Sequence, residues 1–420
     1  MSAEGLAGGQ ALEIARRLLD PADVLAAAPG DASLGSGLAG TALLHARLSS
    51  VDPRFASAAA RHWTTAAAHA QRRAGGIYTG PGALAASLII AAPYLPDPDP
   101  HHDAVARATA WLSKRALDIT TQHQQQVSAG ATGTPWPVYD AVTGLAGIGR
   151  ILLAATATGH RQAEPGLQAA LRTLTTMINS RHGDRPGWWL PAAAHPAGVT
   201  VHPSGAATTG MAHGIAGVLA LLSAAGSAGW VVSGQIAAIR QAAHWLLRWR
   251  DPCTGSWPPY RSGDELDRPP AGPTALGHRD AWCYGAPGIG AALALAGRAL
   301  ADPALAQTGQ AAVAALADRP VHAWDVTGPV LCHGYAGVLQ AAHRTSTHAV
   351  TTRAADAIAA AFDPSLPFAI PRQLSRMGRR HDDRPGFLTG ATGVALALAD
   401  HAQLPTPPVT TAWDAILLLS

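Results

Sequence analysis

Two short segments of the sequence carry residue types that bind metal ions. Cys283 stands two residues before Gly285, and Cys332 is followed directly by His333 and Gly334. Two thiolates and one imidazole suit Zn²⁺ and leave its fourth tetrahedral position open, as in a catalytic rather than a structural zinc site. The two segments lie about fifty residues apart and match no zinc-finger spacing. The sequence therefore predicts a zinc site only if the fold brings them together.

An internal repeat gives the two segments equivalent positions. It reads Gly-x-x-Gly followed by a run of Ala, Leu, Ile and Val, and it recurs at intervals of about 45 to 71 residues, which indicates a repeat architecture. A seventh, degenerate copy is predicted at 82–85, with its second glycine lost. The six complete copies begin at Gly37, Gly144, Gly214, Gly285, Gly334 and Gly390.

The segment directly after each Gly-x-x-Gly differs in polarity from the segment that comes before the next copy. A helix that is apolar all round must be buried, whereas apolar residues at helical spacing with Arg and Gln between them indicate a two-sided helix. We therefore predict an all-α, single-domain fold over 1–420, a closed double ring of seven inner and seven outer helices with the glycine loops gathered at one end. The predicted outer helices are 10–20, 54–73, 102–118, 165–180, 234–250, 303–318 and 350–363.

Two Pro- and Gly-rich stretches interrupt the helical pattern, at about 181–210 and 251–280. They precede the fourth and fifth inner helices, and we expect them to form long loops at the rim of the ring, where a substrate chain can lie. The simpler interpretation is that they are ordinary surface loops. The sequence leaves open where a small inserted or loop-rich accessory segment would lie.

Composition narrows the class of protein. With 48% hydrophobic and 14% charged residues, the chain can bury a large core. Three cysteines argue against a disulfide framework and fit a reducing compartment, so we predict a cytoplasmic protein in which Cys253 is a small apolar residue. The sequence has no secretory or membrane-spanning stretch, which predicts no transmembrane segment. A net charge of +3, without basic runs among aromatics, predicts no nucleic-acid partner.

Taken together, these motifs resemble the lanthionine cyclase (LanC) family, over nearly the whole chain. The resemblance implies an α/α toroid in which Cys283, Cys332 and His333 bind zinc, and it implies a small accessory domain with β-structure. By the same resemblance, four further residues surround the metal: His213, Asp140, Arg279 and Tyr284. The motifs that carry it are the Gly-x-x-Gly copies, Asp140 before Gly144, Ala212-His213-Gly214, residues 279–285, Cys332-His333-Gly334 and Trp413-Asp414.

The family reaction, as the resemblance implies it, is intramolecular Michael-type addition of peptide cysteine thiolates to dehydroalanine or dehydrobutyrine, forming lanthionine or methyllanthionine rings. We expect His213 to carry the proton and Arg279 to stabilise the developing oxyanion. We expect Asp140 to orient His213 or help accept the thiol proton, and Tyr284 to donate a hydrogen bond. The expected substrate is a dehydrated precursor peptide, prepared by a separate dehydratase because this chain has no such segment.

Each assignment has a simpler alternative. Asp140 can cap the following helix, and His213 can be a hydrogen-bonded core residue. Arg279 can pair with Asp280 or another carboxylate at the rim. For the whole protein, the alternatives are a zinc-dependent prenyltransferase, a non-catalytic peptide-binding scaffold, and an enzyme that adds an external thiol such as glutathione to dehydrated residues.

Overall fold

Seventeen α-helices and four short strands form the regular structure of the described residues, which in this computed structural model are 3–69, 75–252, 254–268, 277, 279–371 and 384–420. The strands are β1 (Arg181–His182), β2 (Arg185–Pro186), β3 (Ala206–Thr208) and β4 (Tyr260–Ser262). In chain order the helices are α1 (Ala3–Arg17), α2 (Pro21–Ala27), α3 (Leu38–Leu48), α4 (Pro53–His69), α5 (Gly80–Ala91), α6 (His102–Ser128), α7 (Trp136–Tyr139), α8 (Leu145–Ala157), α9 (Glu164–Asn179), α10 (Ile215–Ser227), α11 (Gln235–Arg248), α12 (Gly263–Asp267), α13 (Ala286–Ala299), α14 (Pro303–Ala314), α15 (Tyr335–Arg344), α16 (His348–Ala361) and α17 (Ala391–His401).

Fourteen of these helices form two concentric rings, as predicted. The inner helices α3, α5, α8, α10, α13, α15 and α17 each contact the next, and α17 contacts α3, so the ring closes. Each outer helix packs against the inner helix that precedes it in the chain, and α6 and α9 also pack closely against each other. Helix α1 packs against α17 and joins the two ends. Among the described helices, none combines the length and apolar character needed to span a bilayer.

The burial of the inner and of the outer helices follows their sequence patterns. Every residue of α3 is buried, because its sides face neighbouring inner helices, the outer layer and the centre. On the outer helix α9, Leu167, Leu171, Leu174 and Ile178 are buried at helical spacing. The prediction for α6 ended at 118, ten residues before its observed end, because its last turns are rich in glutamine. Glutamine favours helix but leaves no apolar periodicity to detect.

The second glycine of each repeat lies against the backbone of its own loop. A Cβ on Gly217 would stand 2.4 Å from the carbonyl oxygen of Met211, six residues earlier, and Gly82 has the same relation to Gly76 at 2.0 Å. The degenerate copy is therefore residues 79–82, with Thr79 in place of the first glycine. The predicted frame of 82–85 was wrong. Gly80 and Gly82 are separated by a single residue, so the sequence alone does not show whether Gly82 is the first or the second glycine of the repeat.

A closed belt of backbone hydrogen bonds joins the seven loops that precede the inner helices. Each loop donates one N–H to a carbonyl oxygen of the next loop along the chain, and the last loop donates to the first. The seven N···O distances lie between 2.8 and 3.2 Å. From donor to acceptor the bonds are Leu34 to Tyr78, Ile77 to Val142, Ala141 to Ala212, Ala212 to Cys283, Cys283 to Cys332, Cys332 to Leu388 and Leu388 to Gly35.

Residues 413–419 occupy the interior of the ring. Trp413, Ile416 and Leu417 are fully or almost fully buried, and this segment contacts α5 and α8. The Arg344 guanidinium forms a bidentate ion pair with the buried carboxylate of Asp414, at 2.5 and 2.6 Å. Burial raises the pKa of that carboxyl, but Arg344 and its other donors outweigh this and lower the pKa below its ordinary value. The segment is thus held by both apolar burial and a buried ion pair.

The two predicted rim loops pair with each other. Strand β3 of the first loop runs antiparallel to β4 of the second, and Leu190 bridges to Ala206. A capping box between Ser262 and Glu265 then starts α12. We call β1 to β4 with α12 the rim β unit. Residues 269–276 and 278 lie outside the described residues, as does Cys253, whose predicted role stays a prediction.

Adding a methyl group at the second glycine tests the close contact between loop and helix. We expect Gly217→Ala to lower the free energy of unfolding by about 1–3 kcal/mol, because the new Cβ collides with the Met211 carbonyl. Gly226→Ala on the same helix is the control. Its Cβ would meet only ordinary contacts at 3.7 Å, so it should be neutral or stabilising by about 0.5–1 kcal/mol. Urea unfolding followed by circular dichroism measures both, and equal destabilisation would contradict the account.

Candidate metal centre

The belt brings the two predicted cysteines side by side. The backbone N–H of Cys283 donates to the carbonyl oxygen of Cys332 at 3.1 Å. The two sulfur atoms and a ring nitrogen of His333 all lie within 4.8 Å of one another. Tetrahedral zinc with Zn–S bonds near 2.3 Å places two sulfurs about 3.8 Å apart. The three predicted ligands are therefore close enough together for a single ion to contact all of them.

A turn that requires glycine places Cys283 at the candidate metal centre. Gly285 has φ +108°, which residues with a side chain rarely adopt, and a Cβ there would overlap the carbonyl oxygen of Arg279. Gly285 also forms an isolated antiparallel bridge with Asp280, so the turn is closed on itself. Only glycine fits this position. Its backbone conformation sets the direction in which residues 279–284 lead into α13.

The electrostatics of the two thiols also fit a cation. The hydrogen bond from Cys332 lowers the pKa of Cys283 despite its burial, and the nearby Arg279 lowers it further. The same pairing, together with burial, raises the pKa of Cys332, because a second thiolate would meet the charge of the first. The pair thus favours a single negative charge, and a divalent cation between the sulfurs would remove the repulsion. This donor set fits Zn²⁺.

Asp140 makes two separate sets of contacts, one through each carboxylate oxygen. Its Oδ1 accepts hydrogen bonds from the backbone N–H groups of Val142, Thr143 and Gly144, at 2.6–3.1 Å, and from the Thr143 hydroxyl. Its Oδ2 lies 2.6 Å from Nδ1 of His213. Asp140 is fully buried, while 29% of the His213 side chain is exposed. The simpler interpretation, a cap on the following helix, is wrong, because Gly144 is the N-cap of α8 and no side chain caps it. The carboxylate instead fixes the loop before α8 and contacts His213.

The His213 ring is fixed on a second side by an aromatic residue that the sequence analysis did not identify. Trp136 stacks on it with ring centroids 4.5 Å apart and an interplanar angle of 13°. Trp136 is 7% exposed and begins α7, four residues before Asp140. Asp140 directly follows α7, and its backbone N–H donates to the carbonyl oxygen of Trp136 at 2.9 Å. The separation of only four residues was the available signal. The histidine is thus held by a carboxylate and an indole together.

Arg279 and Tyr284 flank the cysteines. Arg279 is exposed, and it forms no hydrogen bond or ion pair with any residue in the part of the chain that the structure describes. The alternative that it pairs with Asp280 is wrong, because the buried Asp280 carboxylate instead accepts from Arg319 at 2.8 Å and from the backbone of Asp325. Burial raises the pKa of Tyr284 well above its usual value, with smaller contributions from neighbours that include Cys283. Tyr284 is therefore a protonated hydrogen-bond donor near neutral pH.

Tyr78 is a further residue at the centre that sequence reasoning missed. It stands directly before position 79, so in the corrected frame it is equivalent to His213, Tyr284 and His333 in their own repeats. Burial raises its pKa well above the usual range, and the neighbouring Cys332 adds to the shift. Its hydroxyl donates to the carbonyl oxygen of Ile416 at 2.8 Å. The three-residue error in the frame had hidden this equivalence.

Comparison with known proteins agrees with this architecture. A family profile described as lanthionine synthetase C-like protein matches residues 28–418. The chain belongs to this family. The resemblance predicted from the motifs is thereby confirmed. Among solved structures, that of nisin cyclase is similar to this chain, with a TM-score of 0.73 and 20% sequence identity. The similarity covers 93% of this chain and 92% of that chain. No curated protein sequence matches the chain.

Two substitutions of Asp140 separate its two sets of contacts. In Asp140→Asn the amide oxygen can still accept from the backbone of residues 142–144, while the amide NH₂ donates to Nδ1 of His213 and moves the ring proton to Nε2. Asp140→Ala loses both and should lower the free energy of unfolding by about 1–3 kcal/mol.

The measurements are urea unfolding and the ¹⁵N chemical shifts of the His213 ring, assigned with His213→Ala. We expect the asparagine variant to keep most of the stability and to change the tautomer. An asparagine variant as unstable as the alanine variant, with an unchanged tautomer, would contradict this division of the carboxylate.

Proposed function

We propose that this member of the lanthionine synthetase C-like family is a zinc-dependent lanthipeptide cyclase. In the proposed reaction, a cysteine sulfur of a dehydrated peptide adds to the β-carbon of a dehydroalanine or dehydrobutyrine in the same peptide. The C–S bond forms as the C=C bond opens, the thiol loses its proton, and the α-carbon gains one. The observation that carries the proposal is the grouping of Cys283, Cys332 and His333 within 4.8 Å, in the loops that adjoin the Asp140–His213 pair.

Cys283, Cys332 and His333 are the proposed zinc ligands. Zinc held by two thiolates and one imidazole would supply an open coordination position and the charge that deprotonates a substrate thiol at neutral pH. The two anionic ligands suit alkylation of sulfur, because they offset the charge of the ion and leave a bound sulfur nucleophilic.

His213 is the proposed proton carrier. The Asp140 carboxylate can only accept a hydrogen bond when ionised, so it holds the proton of the imidazole on Nδ1. Nε2 is then the nitrogen that exchanges a proton with the α-carbon of the substrate. Stacking on Trp136 restricts rotation of the ring, so this nitrogen keeps one direction. Asp140 acts on the reaction through His213, as a positioning residue.

Arg279 and Tyr284 are the proposed donors to the substrate. Addition of sulfur places negative charge on the carbonyl oxygen next to the α-carbon, and a fixed donor lowers the energy of that state. Arg279 is permanently cationic, lies close enough to both thiols to affect their pKa values, and has its donors available. Tyr284 stays protonated because burial raises its pKa, so it adds a neutral donor.

Membership of this family also suggests what the protein acts on and which enzyme acts before it. We propose that the substrate is a dehydrated precursor peptide and that a separate dehydratase prepares it. A cytoplasmic location remains part of this proposal, on the reducing conditions that free thiol ligands require.

Zinc content tests the ligand assignment without any activity assay. We expect about one zinc ion per chain in the purified protein and less than about a tenth of that in Cys332→Ala, because two ligands alone bind zinc weakly. The fold should survive, since the belt bond between residues 283 and 332 uses backbone atoms. Cys253→Ala, which removes a cysteine outside the proposed ligand set, is the matched control and should keep its zinc. Full zinc content in Cys332→Ala, measured by atomic emission, would contradict the assignment.

Loss of free thiols tests the reaction, because ring closure leaves the mass of the peptide unchanged. With a peptide that carries one cysteine and one dehydroalanine, we expect zinc-dependent loss of the thiol. His213→Gln should slow this loss by about 10²- to 10⁴-fold while zinc remains bound.

A peptide that carries dehydroalanine but no cysteine, mixed with glutathione, is the discriminating substrate. Efficient addition of glutathione there, without ring closure in the first peptide, would replace the proposed reaction with external thiol addition. Ring formation on a precursor that was never dehydrated would contradict the need for a separate dehydratase.

A further inference from the structure

A groove of about 520 Å³ lies between α11 and the rim β unit, separate from the metal centre. Arg240 and Arg248 of α11 line one side, and Arg181 and Asp184 of the β1–β2 hairpin line the other, with Trp245 in its lining. We call this the α11 groove.

The charge of the α11 groove is unbalanced. Arg240 and Arg248 stand eight residues apart on α11, with His244 midway, so all three share one exposed side of the helix. Three arginines against one aspartate leave the lining with a net charge of +2 at neutral pH, when His244 is uncharged. The lining is therefore locally basic although the chain as a whole is only mildly so, at +3.

The arginines of the α11 groove differ from nearby arginines of the rim β unit in that they form no ion pair with a described residue. In the rim β unit, Arg185 pairs with Asp267 at 3.1 Å and Arg261 pairs with Glu265 at 3.0 Å. Within the part of the chain that the structure describes, Arg181, Arg240 and Arg248 form no ion pair with a carboxylate. Their guanidinium groups can therefore take bidentate bonds from carboxylates supplied by another molecule.

Aromatic residues give the groove an apolar, rigid floor. Trp188 packs edge to face with Trp245, with ring centroids 5.1 Å apart, and Trp245 contacts Trp249 at 6.3 Å. Trp188 and Trp249 are at most 5% exposed, whereas Trp245 is only partly buried. Arg and Trp side chains on a fixed surface are the residue types that dominate binding energy at protein interfaces.

The α11 groove is linked to the metal centre by one continuous segment. Trp188, in the groove, is followed by Leu190, which bridges to Ala206 of β3. Strand β3 ends at Thr208, whose hydroxyl lies 2.9 Å from the hydroxyl of Tyr139, the residue before Asp140. The groove and the loop that carries Asp140 are thus connected through the rim β unit.

We propose that the α11 groove binds an acidic segment of the peptide substrate that lies outside the reacting residues. Carboxylates of that segment pair with Arg181, Arg240 and Arg248, and an apolar side chain between them packs on Trp245. Binding here raises the effective concentration of the reacting part at the centre. The proposal rests on the proposed function for the identity of the peptide, but the binding step is independent of the chemistry.

The test uses the full protein and a fluorescein-labelled peptide of about twelve residues, in which Glu and Asp alternate with Leu and which contains no cysteine or dehydrated residue. At low ionic strength, fluorescence anisotropy should show about three- to tenfold weaker binding to the double variant Arg240→Gln/Arg248→Gln. The double variant Arg16→Gln/Arg107→Gln removes two exposed arginines from α1 and α6 and is the matched control. It should change the affinity less than twofold.

Three results would overturn the proposal. One is equal weakening in both double variants, which would reflect net charge alone. Another is equal binding of a peptide with Gln and Asn in place of Glu and Asp. The third is tighter, equally arginine-dependent binding of a single-stranded oligonucleotide, which would assign the groove to nucleic acid.

A kinetic measurement separates this inference from the proposed function. With a dehydrated substrate that carries the acidic segment, Arg240→Gln/Arg248→Gln should raise KM three- to tenfold and leave kcat unchanged. Absence of any cyclisation by the unmodified protein would refute the proposed function but leave the anisotropy result standing. Unchanged KM in an active double variant would refute the groove alone.

Discussion

The closed belt of seven backbone hydrogen bonds is the constraint on which the rest of the structure depends. It satisfies the N–H and carbonyl groups of loops that lie at the ends of buried helices, where unpaired groups would be costly. It also fixes the distance between consecutive loops around the whole ring. One of its links joins Cys283 directly to Cys332, so the two thiols meet through the main chain rather than through any attraction between side chains. The grouping of the two cysteines is in this sense a consequence of ring closure.

The glycines make this belt sterically possible. At the second glycine of each repeat, the inner helix approaches its own loop so closely that a methyl group would collide with a carbonyl oxygen. Bulkier residues would move the helix outward and lengthen the hydrogen bonds between loops. The position directly before each repeat is then free for chemistry. In four of the seven copies it holds Tyr78, His213, Tyr284 or His333, which all belong to the central group of residues.

The two ends of the ring have different roles. Residues 413–419 occupy its interior, where Trp282 donates to the carbonyl oxygen of Leu417 at 2.8 Å. Trp282 directly precedes Cys283, so this segment supports the metal centre from within. The loop end carries the rim β unit, which departs from the repeat. Its strands come from two loops that are distant in sequence and meet only because α10 and α11 place them side by side. Of the arginines of the α11 groove, Arg181 lies on this added part, while Arg240 and Arg248 lie on the adjoining outer helix. The groove thus forms where the irregular part meets the regular ring.

The sequence by itself determined the ring, its fourteen helices and the three residues grouped at the candidate metal centre. Glycine spacing and apolar runs are local properties of the chain, and the pairing of Cys283 with Cys332 followed from their equal places in the repeat. Three features were decided only by the tertiary structure. The frame of the degenerate copy depends on the contact between Gly82 and Gly76. The double use of Asp140 depends on His213 arriving 73 residues later, with Trp136 stacked against it. The pairing of β3 with β4 joins segments whose alternation is too short to detect. Each of these depends on a contact between residues that no local pattern relates, because the ring must close before the contact can form.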